Sequence, residues 1–106
     1  MASTYEPQRA TFSPSSATTT SIVAAVTGKK IRVLSMSMNV AGAQQATWLS
    51  ASTAISPARR FAADGDSWDL PEAAHHGHFE TVAGEALQLL TGQGVATVGH
   101  VTYVTV

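Results

Sequence analysis

From residue 18 to the C-terminus, apolar and polar positions alternate with a period of two, broken by short turns bearing glycine, alanine or aspartate. The clearest run is residues 31–40 (IRVLSMSMNV): Leu34, Met36, Met38 and Val40 fall on one face, and Ser35, Ser37 and Asn39 on the other. Successive side chains of a strand point to opposite faces, so this period marks a half-buried strand. Residues 18–26 are rich in β-branched side chains and end at Thr27-Gly28, a turn signal. The Ala41-Gly42-Ala43 turn leads to a strand over residues 44–50 carrying Trp48. Asp-Gly suits a tight hairpin, because both central positions need positive φ. Asp64-Gly65 therefore predicts a hairpin between residues 58–62 and 66–70, with Trp68 and Leu70 on one face.

Further strands are expected over residues 79–82, 86–90 and 95–106, with Thr91-Gly92-Gln93-Gly94 as a hairpin turn and Gly99 as a bulge or close-approach site. Residues 82–91 (VAGEALQLLT) fit two patterns, since Leu87 and Leu90 also fall at helical spacing. Strand is favoured because Gly84 weakens a helix and the flanking elements point to sheet. Strands and turns recurring roughly every 8–12 residues predict an all-β fold, a single β-sandwich or jelly-roll-like domain over residues 18–106.

Residues 1–17 break the pattern. Pro7 and Pro14 remove backbone donors and favour extended chain, so neither a helix nor a central strand is expected there. The segment reads as an extended N-terminal arm, either a disordered tail or a strap that orders on a neighbour. In the second case Tyr5, Pro7, Arg9, Phe12 and Pro14 are the candidate partner-binding residues, with Tyr5 and Phe12 as anchors.

Composition narrows the function. Alanine supplies 18 residues of the apolar set, and the larger members are mostly valine, so the core is lean. A lean core leaves a small stability margin, which favours burial of more surface against other copies or a larger partner. Only 12% of the chain is charged and the net charge is −1. Such a surface exerts no general pull on nucleic acid or an anionic membrane and suits docking against protein. No cysteine is present, so disulfides and thiolate chemistry are excluded. No apolar run reaches the ~18 residues of a membrane span.

The one conspicuous cluster of ligating residues is His75, His76 and His78, with Glu80 nearby and His100 in the last strand. His-x-His on a strand places both rings on one face, a geometry metals use, but no further ligand is fixed by spacing. The cluster reads as an exposed polar loop, and no metal or other cofactor is expected. Asp64, Asp66 and Asp69 fall short of the six to eight oxygens of a calcium site and read as turn residues. The doublets Lys29-Lys30 and Arg59-Arg60 read as charges that protect strand edges. Nucleophile elbow, phosphate loop, zinc-protease and dinucleotide motifs are all missing, so no catalytic residues are assigned and an enzyme is not expected.

Three phrases in order, GKKIRVLS at residues 28–35, FETVAGEALQLL at 79–90 and GHVTYVTV at 99–106, resemble small virion proteins of tailed bacteriophages. The resemblance spans residues 18–106 and includes the Ala41-Gly42-Ala43 turn. It implies a β-sandwich or jelly-roll protein of the virion, a capsid decoration (cement) protein that binds the major capsid protein at the capsid surface and assembles as a homo-oligomer, with a trimer favoured. It also implies folding in the host cytoplasm. The alternative is a tail, fibre or spike-base module that binds another virion protein or a host glycan, for which exposed Trp48 or Trp68 would be the stacking platform. The sequence departs from the resemblance at residues 75–78, where an apolar loop is expected.

Overall fold

The computed structural model describes residues 7–73 and 77–106 of the chain. Ten strands run in the order β1 (Gln8–Phe12), β2 (Thr19–Val23), β3 (Ile31–Val40), β4 (Gln44–Ser50), β5 (Thr53–Ala54), β6 (Arg59–Phe61), β7 (Ser67–Leu70), β8 (Phe79–Glu80), β9 (Leu87–Thr91) and β10 (Thr97–Thr105). All pairings are antiparallel. They form two sheets, β1-β10-β3-β7 with β8 also on β3, and β2-β9-β4-β5 with β6 also on β4. If β5 and β6 share one position, and β7 and β8 another, the order in each sheet is that of an eight-position jelly roll.

The chain changes sheets at six of the nine connections between described strands: β1 to β2, β2 to β3, β3 to β4, β6 to β7, β8 to β9 and β9 to β10. This corrects the expected hairpin at Asp64-Gly65. Strand β6 pairs with β4 in one sheet, while β7 pairs with β3 in the other. The turn chemistry itself is present: Gly65 has φ 91°, and the Asp66 carboxylate accepts the Ala62 and Ala63 N–H groups at 2.7 and 3.2 Å. Burial decides where the strands go, because Phe61 must reach the core from one sheet and Trp68 and Leu70 from the other. The Thr91–Gly94 turn is likewise a crossover and not a hairpin. A two-residue hairpin does join β4 to β5 around Ala51 and Ser52.

The space between the sheets is filled by the alternating apolar positions. Ile31, Val33, Met36, Met38 and Val40 of β3 meet Ala46 and Trp48 of β4, Leu87 and Leu89 of β9, and Val101 of β10. Trp48 lies at the centre, edge-on to Phe12 (centroids 5.6 Å apart, 82°) and tilted against Phe79 (6.0 Å). Edge-to-face packing of this kind is worth about 0.5–1.5 kcal/mol beyond area burial. Strand β9 settles the two-pattern segment: Leu87 and Leu89 point inward and Leu90 outward, a period of two. Leu34 departs from simple alternation. Val33 pairs with Tyr103 and Ser35 with Thr102, so Leu34 is the extra residue of a bulge.

The expected arm over residues 1–17 is mostly integrated into this fold. From Gln8 the chain is the edge strand β1, paired with β10 over residues 99–103. Phe12 is only 7% exposed and belongs to the core. The Pro14 carbonyl accepts the Thr97 N–H, and the Thr18 carbonyl accepts that of Thr91. A strand fits between the prolines because β1 is at an edge, where missing donors are tolerated.

Candidate interaction surfaces

The inward alternation fixes what each sheet shows outward. On the first sheet, register aligns Arg9, Thr102 and Ser35 in one row, and Thr11, His100, Ser37 and Asp69 in the next. A third row holds Val98, Asn39 and Ser67. Asp69 is held by two hydroxyls: Ser37 Oγ donates to one carboxylate oxygen and Ser67 Oγ to the other. Both hydroxyls spend their protons on this carboxylate, so the row presents a hydrogen-bonded Ser-Asp-Ser group on the sheet face.

On the second sheet the outward rows are Thr19, Leu90 and Thr47, then Ser21, Gln88, Leu49 and Ala54, with Gln45 opposite Arg60. Among the described residues of these rows, Arg60 is the single charge. Leu90 is 40% exposed between two threonines. The low charge of these rows is the property they share with the cores of protein interfaces, where charged groups are depleted.

The two ends of the sandwich are sealed by buried polar side chains. At one end Gln44 Nε2 donates to Gln93 O and Thr97 Oγ1, both at 2.9 Å, and its Oε1 accepts the N–H groups of Gln93 and Gln45. Thr91 Oγ1 donates to Ser16 O. At the other end Ser50 Oγ accepts from Val82 N–H and donates to Glu85, and Thr81 Oγ1 accepts from Ile31 N–H. Sequence reading missed Gln44, since nothing in its neighbourhood distinguishes it from exposed Gln45. Beside it lies an open cleft of ≈ 310 Å³ lined by Ala43, Gln44, Gln45, Arg60, Phe61 and Gln93. Gln44 is committed to the loop, which leaves Gln45, Gln93 and Arg60 as the polar groups facing this cleft.

The opposite end carries exposed Val26, Val82 and Val106 beside Lys29 and Lys30. Backbone bonds hold them together: Lys30 and Val106 exchange two, Lys29 N–H reaches Val26 O, and Gly84 N–H reaches Lys29 O. Glu80 binds Arg32 Nε at 2.9 Å and Lys30 Nζ at 3.2 Å. The hydrogen bond from Arg32 holds the Glu80 carboxyl below its ordinary value, and Lys30 adds to the effect. Lys30 of the first doublet is thus paired within the chain, whereas Arg59 and Arg60 stand on the edge strand β6 as expected of edge protection. Arg59 also lies 5.9 Å from the Phe61 ring centroid.

The sequence-derived candidates are dispersed. Tyr5, His75 and His76 lie outside the described residues. Pro7 and Arg9 are exposed on or beside β1, and Pro14 is half-buried in the crossover to β2. Phe12 faces this chain's own core, because its ring fills the space against Trp48, and so it is not an anchor for a neighbour. His78 braces its loop through its N–H to Val33 O and its ring to Pro71 O. His100 is across β3 from that loop, opposite Ser37, so these two imidazoles are not brought into one site. Trp48 is fully buried and Trp68 packs against the core. Comparison with protein-family models, with curated proteins and with solved structures found no match to this chain.

Proposed function

We propose that this chain is a capsid decoration protein of a tailed-bacteriophage virion, a non-catalytic module that sits on the capsid surface across neighbouring major capsid protein subunits. The observation that carries the reading is a jelly-roll frame presenting two charge-poor sheet faces. The resemblance of residues 18–106 to small phage virion proteins supplies the setting. Its mechanism is linkage: a site that exists only where subunits meet in the assembled shell stabilises that shell when filled. Low surface charge keeps desolvation of the contact inexpensive, and the hydroxyls and amides fix its register. The tryptophans lend the glycan-stacking alternative little support, since Trp48 is fully buried and Trp68 is half-buried against the core.

Shells assembled from the major capsid protein of the same virus, and lacking this chain, provide the test. Added protein is expected to sediment with them at a fixed stoichiometry and to raise their disassembly temperature. Free protein in the supernatant and an unchanged disassembly temperature count against the reading.

A further inference from the structure

Each sheet of an open sandwich ends in strands whose outer N–H and C=O groups are unpaired, and natural proteins guard such edges with charges, prolines and very short strands. Most edges here are guarded in this way. Strand β1 carries Arg9 and follows Pro7; β6 carries Arg59 and Arg60 after Pro57; β7 carries Asp69 and precedes Pro71; β8 carries Glu80; β5 is two residues long. Strand β2 (TTSIV) is the exception. It pairs with β9 on one side, and among the described residues no strand pairs with its other side. It lies inside the run of residues 10–28, which contains no charged residue at all. Its one irregularity is the bulge between Ser21 and Val23, which confines regular pairing to the Thr19–Ser21 half.

We infer that the free edge of β2 is a self-association site, occupied by β2 of a second copy in antiparallel pairing about a two-fold axis. The inference rests on the edge alone and not on the capsid reading. The ladder sets the register. Thr18 O faces β9, where it accepts from Thr91 N–H, so by alternation Thr19 and Ser21 direct their N–H and C=O groups to the free side. Antiparallel pairing centred on Thr20 puts Thr19 of one copy opposite Ser21 of the other, giving about four inter-copy hydrogen bonds. Charge selects a second copy as the occupant. A two-fold contact sets each edge against itself, so β6 would bring four arginines together and β7 two aspartates, and like charges opposed across a ladder are destabilising. Strand β2 brings together only threonine, serine and aliphatic groups. A contact of a few residues is smaller than a permanent interface, so the dimer is reversible and concentration-dependent.

Solution mass of the full chain over a wide concentration range, with amide exchange read at Thr19 and Ser21, tests the inference. A reversible monomer–dimer equilibrium is expected, with exchange at these two amides slowing as concentration rises. Ser21→Lys, at an exposed position, is expected to weaken dimerisation at least tenfold, while the same exchange at exposed Ser52 in the β4–β5 turn leaves it unchanged. A chain monomeric throughout, a trimer, or a dimer indifferent to Ser21→Lys overturns it. If Ser21→Lys does not fold, the exchange measurement on the unmodified chain decides alone: concentration-independent exchange at both amides overturns the inference.

Discussion

Gly99 shows how closely the strands of the first sheet approach. A methyl group added there would sit 2.1 Å from Ser37 O and 2.9 Å from the Phe12 ring. Backbone cannot yield as a flexible side chain does, so Gly99→Ala is expected to destabilise the fold by about 1–3 kcal/mol or more, read from chemical denaturation. Ala51 is the opposite case. It holds φ 54° at the first central position of the β4–β5 hairpin, where glycine is preferred. Ala51→Gly should raise stability by about 1 kcal/mol, despite the greater flexibility glycine gives the unfolded chain. Trp48 places its indole Nε1 in the core with no hydrogen-bond partner. That unmade bond is outweighed by the large apolar area of the same side chain. Glu80 makes stability pH-dependent. Its folded pKa lies below the ordinary value of 4.5, so its contribution is complete above that value and lost as pH falls through the folded one. The thermal midpoint should therefore drop on acidification below about pH 4.5, and Glu80→Gln should flatten part of that slope.

At the scale of elements, alternation made the strands legible and left their partners unread. Residues 31–40 and 44–50 are strands with the bounds the pattern predicts. Local chemistry around Asp64-Gly65 is the same whether the chain returns beside its predecessor or crosses to the other sheet. Only the demand that Phe61 and Trp68 reach one core from opposite sides separates the two, and that demand is not local. Strand β1 was hidden for a different reason. The prolines that flank it and its polar composition match free chain, and its stability comes from pairing with β10 roughly ninety residues away, beyond the reach of local pattern. The consequence is measurable by truncation. Removing residues 1–13 deletes β1 and the Phe12 ring and should cost roughly 3–5 kcal/mol or abolish folding, as judged by circular dichroism and denaturation.

For the whole molecule, the proposed adhesive role rests on what the fold leaves outside. A jelly roll spends its apolar residues between the sheets, and this chain spends few charges on the faces left over. The polar plugs at both ends, Gln44 with Thr91 and Thr97 at one and Ser50 with Thr81 at the other, hold the crossovers in place. In the proposed role, a frame held in this way would lose little backbone entropy on docking. Of the candidate surface, the sequence revealed Ser35, Ser37 and Asn39 as an outward row, because all three lie on one strand. It could not reveal that His100, Thr11 and Asp69 extend that row, since register between distant strands brings them there.

Imaging of the purified virus particle at a resolution that shows strands tests the central claim most directly. The account predicts this two-sheet jelly roll on the outside of the capsid, seated where major capsid subunits meet, with a sheet face or sandwich end against the shell. Finding the chain in the tail, inside the head, or missing from the mature particle contradicts it.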